Sequence, residues 1–161
     1  MPTGKNTPFN VTLLGFLLTV TLFAQSPQMH GASLMSSFTS KLTCHFFHAN
    51  IFHWACNALC LWLMRPSPMQ ITTAIPYAAM AMLFTDEPTI GFSAIIYAYI
   101  GMNILRWKLS VEDWITFIVA NLISAFLPGI AFGVHFMALF FGFAHYIIEL
   151  QLRRIKEKLE S

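Results

Sequence analysis

Apolar residues along this chain form six long blocks, separated by short polar or proline-containing breaks. Each block holds about 20 residues, the number that a helix needs to cross a hydrocarbon layer of about 30 Å. The pattern therefore predicts an all-α, polytopic membrane protein, with six transmembrane helices in a single domain over residues 1–161. The predicted spans lie near 9–25, 42–64, 69–85, 89–105, 111–127 and 129–150.

Composition and charge placement agree with this prediction. Hydrophobic residues make up 57% of the chain and charged residues 10%, whereas a soluble domain has about 25% charged residues. With a cytoplasmic N-terminus, eight of the nine lysine and arginine residues fall on the inner side, and only Lys41 falls outside. Lysine and arginine accumulate on cytoplasmic loops, so we expect both termini in the cytoplasm. The compact layout suggests a multi-pass protein of a bacterial inner membrane.

The first apolar block has a second interpretation. Lys5, the apolar stretch that follows it and the small residues at Ala24-Gln25-Ser26 also resemble a secretory signal peptide with its cleavage site. A retained helix is the preferred interpretation, because the positive region before the block consists of one lysine.

Polar side chains inside the blocks are the candidates for chemistry, since ionisable groups are costly in hydrocarbon and usually mark function. All seven carboxylates lie at block ends, which argues against paired-carboxylate chemistry and against a buried aspartate in a triad. At 1.5 Å per residue, the predicted spans place Ser93 and His135 in the outer third of the membrane, with His53 and Asn57 somewhat deeper unless their helix starts late. The polar residues within the blocks are His48, His53, Asn57, Ser93, Asn103, Asn121, Ser124 and His135.

These residue types suit serine-nucleophile chemistry. A neutral hydroxyl is a poor nucleophile, so Ser93 needs a base, and His135 is the natural candidate. The backbone N–H of Ser93, the Asn57 amide and His53 could donate hydrogen bonds to an oxyanion. Tyr97, one helical turn after Ser93, could stack on the imidazole of His135. We therefore predict a Ser–His dyad.

The same residues form three motifs that resemble those of the rhomboid family of intramembrane serine proteases. Each motif is weak alone, but the three occur in the family's order and on the matching blocks. The motifs are His48-x-x-x-x-His53-x-x-x-Asn57, Gly91-x-Ser93 with Tyr97 and Gly101, and His135-x-x-Ala138-x-x-x-Gly142.

The resemblance implies a rhomboid-like bundle and an endopeptidase with Ser93 and His135 as its catalytic dyad. His53 and Asn57 would line the oxyanion hole, Tyr97 would support the histidine, and His48 would brace the loop above. It further implies that the substrates are single-pass membrane proteins, cut within the lipid bilayer near its outer face. We expect no cofactor, no metal and no nucleic-acid partner.

The chain also departs from the family pattern, and two other functions stay open. Ala94 and Ala138 stand where glycine is usual, and the Trp-Arg pair common in the first loop is missing. One alternative is a catalytically inactive rhomboid-like protein that binds or escorts membrane clients. The other is a metal or haem site, for which the candidate ligands are Cys44, His45, His48 and His53.

Overall fold

The protein is all-helical in the part of the chain that a computed structural model describes, residues 7–23, 30–125 and 131–160. The helices are α1 (Thr7–Phe23), α2 (Phe38–Thr43), α3 (Ile51–Met64), α4 (Pro68–Ala81), α5 (Ser93–Asn103), α6 (Val111–Ala125) and α7 (Phe132–Glu160). Two short 3-10 turns, Cys44–Phe46 and Met82–Phe84, follow α2 and α4.

Two of the apolar blocks are interrupted by backbone features that end or delay a helix. Block 42–64 contains the 3-10 turn after α2 and then extended residues, and α3 begins only after Asn50, whose side chain accepts a hydrogen bond from the His53 N–H at 2.9 Å. Block 89–105 starts with an antiparallel bridge between Thr89 and Ala32. Gly91 then adopts a φ of +125°, so α5 begins at Ser93 and has 11 residues.

The six-transmembrane-helix prediction is therefore wrong, and so is the multi-pass inner-membrane placement with both termini in the cytoplasm that followed from it. Among the described residues, one helix, α7, is long and apolar enough to cross a membrane, while α1 and α3 are apolar but shorter. The 14 residues of α3 rise by about 21 Å, less than a hydrocarbon core of about 30 Å. Apolar composition continues through helix caps and turns, so block length overestimates helix length.

Helix α5 lies at the centre of the core and packs most closely against α7. Eight of its residues are buried, and Ala98 and Ala138 face the interface with no exposed surface. The two backbones touch through glycines: a Cβ on Gly101 would lie 2.2 Å from the Leu139 carbonyl oxygen, and one on Gly142 would lie 2.1 Å from that of Ala98. Any larger residue at either glycine would force the helices apart.

Some predicted features lie outside the described residues. The possible cleavage site at Ala24-Gln25-Ser26 is among them, and so is the side chain of Ser124. Lys41, the one cation assigned to the outer side, is buried, and its Nζ donates to the carbonyls of Leu34 and Ser36.

Candidate active site

Ser93 is the first residue of α5, and the chain before it is held in an unusual conformation. The N-cap residue, Phe92, makes no side-chain capping hydrogen bond. The first N–H groups of a helix have no partner within the helix, so the start of α5 offers donors and a positive dipole end next to the Ser93 hydroxyl. Gly91 has a positive φ, and a Cβ there would lie 2.5 Å from the His53 ring, so no other residue fits.

His135 contacts the Ser93 hydroxyl directly. Its Nε2 lies 2.7 Å from Ser93 Oγ, a hydrogen-bond distance, although the residues are 42 positions apart. His135 belongs to the first turn of α7, and the close contact of α5 with α7 through Gly101 and Gly142 brings the two side chains together. The geometry joins a hydroxyl to an imidazole that can accept its proton.

The imidazole of His135 is oriented by stacking rather than by a carboxylate. The Tyr97 ring lies parallel to it, with an interplanar angle of 6° and a centroid distance of 4.5 Å. Within the described residues, Nδ1 of His135 is buried and has no hydrogen-bond partner. For Nε2 to accept the Ser93 proton, Nδ1 must carry the ring hydrogen. The arrangement is a dyad held by ring stacking.

His53 and Asn57 lie on successive turns of α3. The His53 ring packs against the backbone of Gly91, two residues before Ser93. Asn57 is 5% exposed, and its Nδ2 has no hydrogen-bond partner in the described part of the chain. A buried amide donor without a partner costs free energy, and such a donor is available for a ligand oxygen. Both residues thus lie on one face of α3. His53 is close enough to His135 to interact with it electrostatically, and among the described residues neither His53 nor Asn57 has a side-chain hydrogen bond to Ser93 or His135.

His48 lies beside His53 and is hydrogen-bonded to α1. The two rings meet edge to face at 5.2 Å. Burial, and after it the nearby His53, lowers the pKa of His48 to about 4, so its ring is neutral at pH 7. Thr21 Oγ1 donates to the Leu17 carbonyl and lies 3.3 Å from His48 Nδ1, which must therefore be the donor of that second bond. His48 connects α1 to the segment that precedes α3.

The residues proposed as metal ligands do not converge. Among residues 7–23, 30–125 and 131–160, no group of three or more His, Cys, Asp or Glu is arranged to hold a metal ion. Cys44 is buried, and its thiol donates to the Lys41 carbonyl at 3.5 Å. The His45 ring instead approaches the Gly91 carbonyl, with 3.4 Å between Nδ1 and the oxygen.

Sequence reasoning missed three contributions to this site. The positive φ of Gly91, the contact of His45 with Gly91 and the hydrogen bond from His48 to Thr21 all depend on tertiary contacts. The glycine two residues before the candidate nucleophile was the one available signal, because glycine is the usual residue where φ is positive or backbones approach closely. Nothing in the sequence distinguishes Thr21 from the other threonines of α1.

Comparisons with known proteins add no family assignment. A scan of the chain against models of protein families and a search of curated proteins both found no match. The resemblance to rhomboid proteases therefore stays a prediction from three motifs.

Proposed function

We propose that this protein is a serine endopeptidase, similar to the rhomboid proteases, that cleaves membrane-spanning segments of membrane proteins. The observation that carries the proposal is the 2.7 Å contact between Ser93 Oγ and His135 Nε2, with Tyr97 stacked on the imidazole. A hydroxyl paired with an imidazole at this distance is the minimum arrangement for nucleophilic acyl transfer.

In the first half of the reaction, Ser93 Oγ attacks the carbonyl carbon of the scissile peptide bond, and its proton passes to His135 Nε2. The carbonyl oxygen becomes an oxyanion, for which the candidate donors are the Ser93 N–H at the start of α5 and Asn57 Nδ2, which no described residue engages. Collapse of the intermediate breaks the C–N bond. The leaving nitrogen takes the proton from Nε2, and an ester to Ser93 remains.

In the second half, water attacks that ester and gives its proton to His135 Nε2. The C–O bond to Ser93 then breaks, Nε2 returns the proton to Ser93 Oγ, and the carboxylic acid product leaves. No further group is needed for the proton balance. The ring of His135 must keep its orientation through both halves, and the stacked Tyr97 ring favours this.

The helices that carry the site residues expose apolar side chains. Phe136 of α7 is 56% exposed, and Phe52 of α3 is 79% exposed. Exposed apolar surface of this kind can bind an apolar partner. A membrane-spanning segment supplies such a partner, and its backbone must unwind locally before Ser93 can reach a peptide carbonyl.

A fluorophosphonate probe tests the nucleophile. We expect the detergent-purified full chain to be labelled on Ser93, and a reporter protein with one membrane-spanning segment to be cut. Ser93→Ala should abolish both, whereas Ser40→Ala, a change at a serine of α2 outside the site, should abolish neither. Labelling of Ser93→Ala at the wild-type level would refute the assignment. If the wild-type chain is neither labelled nor active but still binds the reporter, the result would support the alternative, a catalytically inactive rhomboid-like protein that binds membrane clients.

A further inference from the structure

Gly91, two residues before the candidate nucleophile, is held at both its backbone N–H and its backbone carbonyl. The Gly91 N–H donates to the Cys44 carbonyl at 3.2 Å, and the Gly91 carbonyl oxygen lies 3.4 Å from His45 Nδ1. The His53 ring covers the position where a Cβ of Gly91 would stand. The backbone conformation two residues before Ser93 is therefore set by two contacts from the 3-10 turn Cys44–Phe46 and one contact from α3.

Burial of His45 in this position lowers the stability of the folded state. Its side chain has no exposed surface, and Nε2 has no hydrogen-bond partner within the described residues. Burial lowers the pKa of His45 to about 4, in spite of the carbonyls of Gly91 and Lys41, which raise it, so the ring is neutral. Because a carbonyl can only accept, Nδ1 carries the hydrogen, and Nε2 is left as a bare acceptor away from water. A half-satisfied buried polar group costs stability that an apolar side chain of similar size would not.

We propose that His45 is a positioning residue for the nucleophile. Through its bond to the Gly91 carbonyl it fixes the Gly91–Phe92 peptide, and with it the direction of the Ser93 N–H at the start of α5. This inference rests on the proposed function for its catalytic consequence, and on the geometry alone for its effect on the backbone. His45 does not touch the reacting atoms.

The test compares His45→Leu, which fills the site without a donor, with His45→Asn, whose amide can still donate to Gly91. We expect His45→Leu to lower kcat for the reporter by roughly three- to tenfold, the scale of one lost hydrogen bond, with KM unchanged and Tm not reduced. His45→Asn should restore most of kcat. Thr39→Val, a change at an exposed threonine of α2, should alter none of these values.

Hydrogen–deuterium exchange separates this proposal from the proposed function. We expect faster exchange of the Gly91–Ser93 amides in His45→Leu and near wild-type exchange in His45→Asn, whether or not the chain is catalytic. A wild-type chain without labelling or cleavage, but with this exchange pattern, would refute the protease and leave the positioning role intact. Unchanged exchange in His45→Leu would refute the positioning role. A loss of Tm or of folding in His45→Leu, or a loss of kcat that His45→Asn does not restore, would show that His45 is structural and would also overturn the proposal.

Discussion

The two sides of Ser93 are built differently. On the α7 side, the backbones of α5 and α7 touch at Gly101 and Gly142, and Ala98 and Ala138 are fully buried between them. On the α3 side, the contact is made by the His53 ring against Gly91, and Asn57 Nδ2 and His48 Nε2 are buried without hydrogen-bond partners among the described residues.

This difference separates two requirements of acyl transfer. A general base must be aligned before substrate arrives, since misplacement by about 1 Å can cost about 100-fold in rate, and the tight α5–α7 contact fixes His135 against Ser93. Oxyanion donors must instead be free until the intermediate forms, and a donor already bonded to the protein could not serve. The α7 side of Ser93, called the closed side below, therefore suits the base. The α3 side, called the open side, suits the substrate.

The largest effect is expected from His135→Ala on the closed side. Removing the base should lower turnover of the reporter by roughly 10⁴-fold or more, while Tm changes little because the ring is held by a single hydrogen bond and one stacked contact. His145→Ala is the matched control on the same helix. His145 bonds to Tyr77 at 2.8 Å, away from the dyad, so turnover should persist. Undiminished turnover in His135→Ala would show that His135 is not the base.

Asn57→Ala tests the open side and should have the second largest effect. We expect kcat to fall by about 100- to 1,000-fold with KM nearly unchanged, as for the loss of one oxyanion donor. Because Nδ2 of Asn57 has no partner among the described residues, the folded state should lose little stability. Cys56→Ala, at the exposed neighbour on α3, is the control and should behave as wild type. A rise in KM with kcat preserved would instead assign Asn57 to substrate binding.

The contact between α5 and α7 on the closed side could largely be predicted from the sequence. Ser93, Tyr97 and Gly101 recur every four residues, as do Ala138 and Gly142, and this spacing places each set on one helix face. Small residues at that spacing indicate close helix contact, and the structure shows that contact at Gly101 and Gly142. Local periodicity was enough here, because the interface is formed by two regular helices.

The open side and the helix lengths could not be predicted in the same way. The start of α3 depends on the cap formed by Asn50, and the start of α5 depends on the conformation of Gly91, yet both residues lie inside or beside continuous apolar blocks. Hydropathy records composition and is insensitive to such breaks, which is why six long spans were predicted from helices of mostly 11–17 residues. The contacts of His45 and Thr21 join segments 46 and 27 residues apart, respectively, and no local pattern encodes them.

Gly142→Ala tests whether the closeness of α5 and α7 is what aligns the dyad. The added Cβ would lie 2.1 Å from the Ala98 carbonyl oxygen, so the helices must separate. Overpacking of this kind costs about 1–3 kcal/mol, which corresponds to a fall in Tm of roughly 2–10 °C for a chain of this size. Turnover should fall by about 100-fold through misalignment of His135.

The control is Gly15→Ala, at a helical glycine of α1 with open space around its Cβ position, which should reduce neither Tm nor turnover. If Gly142→Ala lowered Tm but left probe labelling of Ser93 unchanged, the contact would stabilise the fold without aligning the base, and the two sides of Ser93 would differ in packing alone.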